Sequence, residues 1–323
     1  MNALRRFLRL AGLAASALLP VLLLALLLAL SLTVSACAPR VDLPRFAEAE
    51  ANLAAFQARF VDPAVAASGV DLRASLLYST PQRSNRTDLQ IYGDYGLPLR
   101  LDVRAGFGSM VALMREDAAG LLAYYPEKKA AYAHMDPVIG AQLLGLPFPF
   151  ALRDLALVLA GHFGTLVPAA APPQGLRAQP GGGFAYSFAK GPVRLLVVDV
   201  YGRPERMEGE LSRYFKTQAE REGAKITGAR TWSLVFSGYP EEDGDPLGPA
   251  RILTLSLPGS ESAVLRVKAL TERDQPWPLK ALGLAPPADT RFMALDRVSA
   301  PPAGITDVVT GSENEQPQGK SHG

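Results

Sequence analysis

The stretch that decides the fold is LRLDVRAGFGSMVALM, from Leu99 to Met114. Its first seven residues alternate strictly between apolar and charged side chains, which is the pattern of a half-buried β-strand. After Gly106-Phe107-Gly108 the chain is apolar again as far as Met114, which predicts a β-hairpin with Phe107 at its tip. An aromatic side chain at a turn either folds back onto its own sheet or points outward to a bilayer or a partner. The sequence leaves both alternatives open.

Upstream of this hairpin the chain begins with the features of an exported lipoprotein. Arginines precede an almost wholly apolar run, Leu18–Leu32, and small residues follow it up to Cys37. This order describes a secretory signal. The sequence VSAC that ends at Cys37 resembles the bacterial lipobox, in which the thiol receives a diacylglycerol and the signal is cut before it. The resemblance implies a signal peptide at residues 1–36 and a lipidated tether at 37–43. The alternative is an uncleaved membrane anchor.

The charge balance gives no sign of a nucleic-acid partner. The whole chain has a formal net charge of +2, and residues 1–36 contain three arginines and no acidic residue. Cleavage before Cys37 leaves 30 of the 33 basic residues against 31 acidic residues, a net charge of −1. Because nucleic-acid binding needs a clustered basic face, we expect none. Cys37 is the only cysteine, which excludes an intramolecular disulfide.

Three helices are predicted from apolar periodicity. The first runs from Pro44 to the stop at Asp62-Pro63, with Asn52 on its polar side. Two more, strongly apolar, follow Asp136 and the bend Leu146–Phe150. Because apolar helices need an apolar surface to cover, we expect the last two to lie on the inner face of a sheet.

The rest of the chain predicts one antiparallel sheet. Short alternating segments at hairpin spacing occur from Val70 to His134 and again from Phe184 to Leu270, with an edge strand at 291–295. The Pro/Gly/Ala-rich stretch between them, 168–183, predicts a loop. Strands of the same type flank the helical segment, which favours a single domain over residues 44–299 followed by a disordered tail at 300–323.

No catalytic constellation is visible in the sequence. The three histidines are isolated, and the motifs of zinc proteases, serine hydrolases and phosphate-binding loops are absent. The acidic stretch 241–245 lacks the spacing of a calcium-binding loop. We therefore expect no enzyme activity, no metal and no cofactor.

The order of elements resembles a known family, the outer-membrane lipoprotein receptor LolB, and more distantly its periplasmic partner LolA. The segment RAGFGSMVALM, 104–114, is similar to the protruding loop and following strand of that family. The segment LLGLPFPFALRDLALVLAG, 143–161, is similar to its helical insertion. The resemblance implies a mainly β fold of the α+β type. It is an unclosed antiparallel half-barrel whose capping helices enclose an apolar cavity, preceded by an amphipathic helix.

The resemblance also implies site residues. The loop-tip position, a leucine in the family, is Phe107 here, so a membrane-insertion role falls on Phe107 with Gly106 and Gly108. Acyl chains would occupy the cavity, for which the candidates are Leu101, Val103, Ile139, Leu143, Leu144, Leu146, Phe148, Leu155 and Leu159. The alternative for each of these residues is that it fills an ordinary core.

Together these features predict a lipoprotein anchored in the outer membrane and facing the periplasm. It would bind acyl chains of lipoproteins or other lipids, receive them from a periplasmic LolA-like carrier, and help to localise or insert them. The alternative is a structural or interaction lipoprotein that docks onto a cell-envelope assembly.

Overall fold

The computed structural model describes residues 44–61, 67–106, 108–167, 172–221, 223, 225, 229–240 and 248–297. All of these belong to one compact unit of the chain. Four predicted features lie outside the described residues: the signal peptide 1–36, Cys37 with its tether 37–43, the tip residue Phe107 and the tail 300–323.

The described residues contain fourteen strands. Their bounds are β1 (Gly69–Ser79), β2 (Ser84–Asp94), β3 (Leu99–Ala105), β4 (Met110–Asp117), β5 (Gly120–Tyr125), β6 (Ala130–His134), β7 (Gly175–Ala178), β8 (Phe184–Ser187), β9 (Leu195–Val198), β10 (Pro204–Glu210), β11 (Thr231–Ser237), β12 (Ile252–Leu257), β13 (Glu261–Arg273) and β14 (Arg291–Ala294). They form one sheet in the order β14-β6-β5-β4-β3-β2-β1-β13-β12-β11-β10-β9-β8-β7.

Every neighbouring pair in this sheet is antiparallel except β14, which runs parallel to β6. Strands β14 and β7 stand at the two ends of the order and do not pair with each other within the described residues, so the sheet is unclosed. This confirms the predicted fold class, a mainly β protein built on an unclosed antiparallel sheet. It also confirms the edge strand expected near Arg291.

The inner face of the sheet carries the core, as the alternation predicts. On β3, Leu99, Leu101 and Val103 are buried. On β1, which pairs with both β2 and β13, the buried residues of the same face include Leu72 and Leu76. The two halves of the sheet join at β1 and β13, so strands from both ends of the chain share one apolar core.

Four helices are described: α1 (Ala49–Phe56), α2 (Pro137–Leu143), α3 (Leu152–Ala160) and the single turn α4 (Gln218–Arg221). Helix α1 continues as a π-helical turn through Val61, and its aromatic face packs on the segment that follows α3. The rings of Phe56, Phe60 and Phe163 lie about 6 Å apart, at 5.8, 6.1 and 6.0 Å. The helices predicted at α2 and α3 are present.

The expectation that Asn52 lies on the polar side of α1 is wrong. Asn52 is completely buried, because its side-chain amide donates to the carbonyl of Asp199 at 2.7 Å. Its carbonyl oxygen accepts from the hydroxyl of Tyr186 at 3.0 Å. A buried amide is tolerated where its hydrogen bonds are satisfied in this way.

The predicted loop at 168–183 is wrong in its second half. Residues Gly175–Ala178 form β7, the edge strand of the sheet, and Leu176 pairs with Tyr186 of β8. The local composition of glycine, proline and alanine disfavours a strand. Residues 175–178 nevertheless form a strand, because pairing with β8 supplies the backbone hydrogen bonds.

The outer face of β3 is covered rather than exposed to solvent. The chain between β13 and β14 crosses this face, and the carbonyl of Gly283 accepts a hydrogen bond from Arg100. Arg100 and Asp102, which the alternation places on a polar face, are 5% and 9% exposed and form an ion pair at 3.0 Å. Leu282 of the crossing segment is completely buried.

Candidate functional site

A narrow apolar cavity lies between the first strands of the sheet and the segment that contains α2 and α3. The sheet contributes Leu76, Thr87, Leu89, Leu101, Val103, Val111, Ala112, Met114 and Leu121. The helical segment contributes Ala141, Leu146, Phe148, Phe150, Ala151, Leu152 and Leu155. Among these described lining residues Thr87 alone has a polar side chain. An occupant would therefore have to be apolar along most of its length.

The cavity is small in this structure. Its volume is about 30 Å³, which is room for one or two water molecules. Pockets that hold organic ligands usually measure roughly 300–1,000 Å³. A lipid chain could enter only if one wall moved away from the other.

Five of the nine predicted cavity residues line this cavity: Leu101, Val103, Leu146, Phe148 and Leu155. The other four lie elsewhere. Leu144 and Leu159 are buried in the core, and Ile139 and Leu143 are half-buried on or next to α2. That acyl chains contact any of these residues stays a prediction.

Sequence reasoning missed the lining residues on β1, β2, β4 and β5. Their signal was present in the alternation, since Leu76, Leu89 and Met114 occupy the apolar phase of their strands. The alternation gives the inward face of a strand but does not say which inward residues border a space. Phe150 and Leu152 lie in the segment 143–161, which is similar to the helical insertion of the LolB family, and could have been predicted as lining residues from that similarity.

The helical wall is held at the end of α2 by an arginine from a distant part of the chain. Asp136 caps the start of α2, where its carboxylate accepts from the backbone N–H of Ile139 at 3.0 Å. At the other end the Arg221 guanidinium donates to the carbonyl of Gln142 at 2.5 Å, and also to that of Lys216 at 3.1 Å. The Gln142 carbonyl also accepts from the backbone N–H of Gly145, and the cation adds a charged donor at the negative end of the helix dipole. Burial lowers the pKa of Arg221.

The start of α3 is held by a carboxylate from the sheet. Its capping residue, Ala151, has no side chain that could accept a hydrogen bond. Glu116 of β4 takes that role, since its carboxylate accepts from the backbone N–H of Arg153 at 3.1 Å. Glu116 is 3% exposed, and burial raises the pKa of its carboxyl group above the ordinary range. The wall thus has a half-buried polar anchor, Arg221, at the end of α2 and a buried one, Glu116, at the start of α3.

A polar group of side chains lies inside the sheet near the end of α2. Tyr78 donates to the carboxylate of Glu261 at 2.6 Å, and both side chains are buried. Tyr125 is buried beside Tyr132, with ring centroids 5.6 Å apart. The charge of Arg221 acts on Tyr78, Glu261 and Tyr125. Burial raises the pKa of Tyr78 and of Tyr125, so both phenols stay protonated at neutral pH.

The predicted membrane-insertion loop joins β3 to β4. Gly106 and Gly108 are exposed, and a Cβ atom added to either would meet nothing within 4 Å. Gly108 has φ +85°, a conformation that favours glycine, and its N–H donates to the carbonyl of Ala105 at 2.8 Å. Phe107 lies outside the described residues, so its role stays a prediction.

The histidines outside the tail have carboxylate partners. His134 Nε2 lies 3.1 Å from Asp296, and His162 Nε2 lies 2.6 Å from Glu272. Across the described ranges, the structure shows no group of three or more histidine, cysteine or acidic residues that could hold a metal ion. None of the helices in the described part of the chain is both long and apolar enough to cross a membrane.

No protein-family model matches the chain, and no curated protein matches its sequence. Several solved structures are similar. A LolA superfamily protein from Nitrosomonas europaea matches 73% of this chain and 97% of its own, with 11% sequence identity and a TM-score of 0.46. A domain described as an outer membrane lipoprotein-sorting protein from Vibrio parahaemolyticus matches 70% of this chain and 93% of its own, with 14% identity and a TM-score of 0.41.

A third similar structure is a DUF1329 family protein from Desulfovibrio piger. It covers 69% of this chain and 92% of its own, with 11% identity and a TM-score of 0.41. Segments 104–114 and 143–161 resemble the LolA and LolB family, and two of these similar structures are described as a LolA superfamily protein and a lipoprotein-sorting protein domain.

Proposed function

We propose that this protein is a lipid-binding lipoprotein of the bacterial cell envelope. It holds acyl chains between the sheet and the α2–α3 segment and performs no covalent chemistry on them. The single observation that carries the proposal is the chemistry of the cavity, in which fifteen of the sixteen lining side chains are apolar. Apolar surface of this kind binds hydrocarbon by removing it from water.

The arrangement of the wall supports entry of a chain into a cavity that is closed in this structure. The segment 144–151 connects α2 to α3 and contributes Leu146, Phe148 and Phe150 to the lining. Its polar anchors, Arg221 of α4 and Glu116 of β4, lie at its two ends. An outward movement of this segment would enlarge the cavity without breaking any strand pairing.

The finer part of the proposal concerns the membrane. Cys37 carries the lipid anchor, which holds the protein in the outer membrane facing the periplasm, and at least two acyl chains make such an anchor stable. A periplasmic LolA-like carrier delivers lipoproteins to the cavity. Phe107 then inserts into the bilayer during transfer, since a large apolar side chain at an exposed turn favours the membrane interface.

Extraction of bound lipid tests the cavity. Residues 38–300, purified without the anchor, are extracted for lipids and analysed by mass spectrometry, alongside displacement of a fluorescent fatty acid. We expect co-purified acyl lipids and saturable displacement. A lipid-free protein that shows no saturable displacement would contradict the proposal.

The transfer step has its own test. Phe107→Glu in the full chain should leave the fold and lipid binding intact but slow the transfer of a lipoprotein to liposomes, because a charged tip resists insertion. Phe107→Leu is the matched control and should transfer normally. Equal transfer rates for all three proteins would refute the role of the tip.

A second candidate function is that of a structural or interaction lipoprotein. The small volume of the cavity, about 30 Å³, favours it, because a filled core needs no ligand. This alternative predicts no bound lipid and a stable protein partner in pull-downs from the cell envelope.

A further inference from the structure

Tyr125 is a buried tyrosine whose hydroxyl group the fold leaves unpaired. The side chain is 1% exposed, and its hydroxyl has no hydrogen-bond partner among the residues that the structure describes. Two other buried tyrosines are paired: Tyr78 donates to Glu261, and Tyr186 donates to the carbonyl of Ala49 at 2.7 Å. Native proteins satisfy nearly all buried polar groups, so an unpaired one needs an explanation.

This tyrosine lies beside the apolar cavity. Tyr125 is the last residue of β5 and shares the inward face of that strand with Leu121, which lines the cavity. The pairing of Leu113 with Tyr124 brings Ala112, another lining residue, opposite Tyr125. The edge-to-face contact with Tyr132 holds the phenol ring in place. Tyr125 is not itself a lining residue, and its register places it next to the cavity at the end nearest the turn between β3 and β4.

Two neighbouring donors, Arg221 and Tyr78, already have acceptors. The Arg221 guanidinium donates to the carbonyls of Gln142, Leu143 and Lys216. The Tyr78 hydroxyl donates to Glu261. Burial raises the pKa of Tyr125, so its hydroxyl keeps its proton at neutral pH. Tyr125 is thus a fully buried donor of this polar group that has no acceptor in the described part of the chain.

We propose that Tyr125 donates a hydrogen bond to the carbonyl oxygen of the ester or amide that joins a bound acyl chain to its head group. The inference rests on the proposed function, since it places the chain in the same cavity. Apolar walls cannot distinguish an acyl chain from an alkyl chain, because their methylene groups are alike. A hydrogen-bond donor at one end of the cavity can distinguish the two chains, because an alkyl ether lacks the carbonyl group of an acyl ester or amide. The ligand class is therefore acyl lipids and acylated peptides rather than alkyl-ether lipids.

A matched pair of lysolipids tests this assignment. The full chain in a mild detergent is equilibrated with equal amounts of 1-palmitoyl-lysophosphatidylcholine and its 1-O-hexadecyl analogue, which differ only in the carbonyl group. Native mass spectrometry then gives the ratio of bound acyl lipid to bound alkyl lipid. We expect a ratio of about 3 to 10 for the wild type, the effect of one hydrogen bond. Tyr125→Phe should bring the ratio to about 1.

Tyr124→Phe is the matched control, because the neighbouring side chain points to the opposite face of β5, and it should keep the wild-type ratio. A wild-type ratio of 1, or an unchanged ratio in Tyr125→Phe, overturns the role of Tyr125 while the proposed function stands, provided that both lipids bind. If neither lipid binds, the proposed function fails and this inference fails with it. Urea unfolding should show Tyr125→Phe at least as stable as the wild type. A clear loss of stability would show that the hydroxyl has a partner without ligand and would overturn the inference.

Discussion

Filling the cavity is the sharpest test of where the hydrocarbon binds. Ala112 lies on β4, lines the cavity and is 1% exposed. Valine at this position would place two additional methyl groups in the cavity. Because valine suits a β-strand better than alanine, Ala112→Val should fold normally. The added methyl groups would then occupy space that an acyl chain needs.

The expected sizes follow from the cavity. Filling about 30 Å³ at about 24 cal/mol per Å³ stabilises the folded protein by about 0.7 kcal/mol. Two displaced methylene groups of the ligand, at about 0.8 kcal/mol each, weaken binding by roughly 15-fold. The variant should therefore be slightly more stable than the wild type and bind acyl chains much more weakly.

Urea unfolding measures the first effect, and displacement of a fluorescent fatty acid measures the second. Ala133→Val on β6 is the control, because Ala133 pairs with Leu122 on the outward face, and its affinity should not change. Binding by Ala112→Val within twofold of the wild type would refute the placement of the chain in this cavity. A loss of stability greater than about 2 kcal/mol would show that the site is overpacked by valine. It would refute the claim that Ala112 borders free volume.

Two further predictions concern the anchors of the helical wall. Arg221→Met should cost about 2 kcal/mol of stability, because it removes a charged donor from the carbonyl of Gln142, which keeps only the backbone N–H of Gly145. It should also speed both hydrogen exchange at residues 137–144 and entry of the fatty-acid probe. Unchanged exchange there would contradict the anchor. Burial raises the pKa of Glu116, so its contribution to stability is present below its ordinary pKa of about 4.3 and is lost as the pH rises toward the raised value. Glu116→Gln keeps an acceptor for α3, so its free energy of unfolding in urea should rise relative to that of the wild type between pH 4 and pH 7. A difference between the two proteins that stays constant across that range would contradict this assignment.

The sheet was predictable because its information is local. Strict alternation in residues 99–105 and on β1 gives both the strand and its inward face. Asp136-Pro137 marks the start of helix α2, and Gly161 marks the end of helix α3. Strand β7 was not predictable, because the strand exists through its pairing with β8.

The site was only partly predictable because its decisive contacts are distant in sequence. Asn52 is buried by partners 134 and 147 residues away. Arg221 reaches a carbonyl 79 residues away, and Glu116 accepts from a backbone N–H 37 residues away. Periodicity placed Leu144 and Leu159 on apolar faces and made them cavity candidates, whereas both are buried in the core away from the cavity lining. Whether such a residue borders a space or fills the core depends on packing that no local pattern contains.

The closed cavity is what an empty carrier with this lining should show. Without a ligand, an open wall would expose Leu146, Phe148, Phe150, Leu152 and Leu155, and each large apolar side chain loses roughly 1.5–3 kcal/mol when it leaves the core. Closure of the empty protein is therefore strongly favoured, so an empty carrier also has a small cavity. A bound chain would restore those contacts, so a carrier must open only with its ligand. Hydrogen exchange across residues 137–160 with and without lysolipid separates the two functions, because a structural lipoprotein would show the same protection in both states.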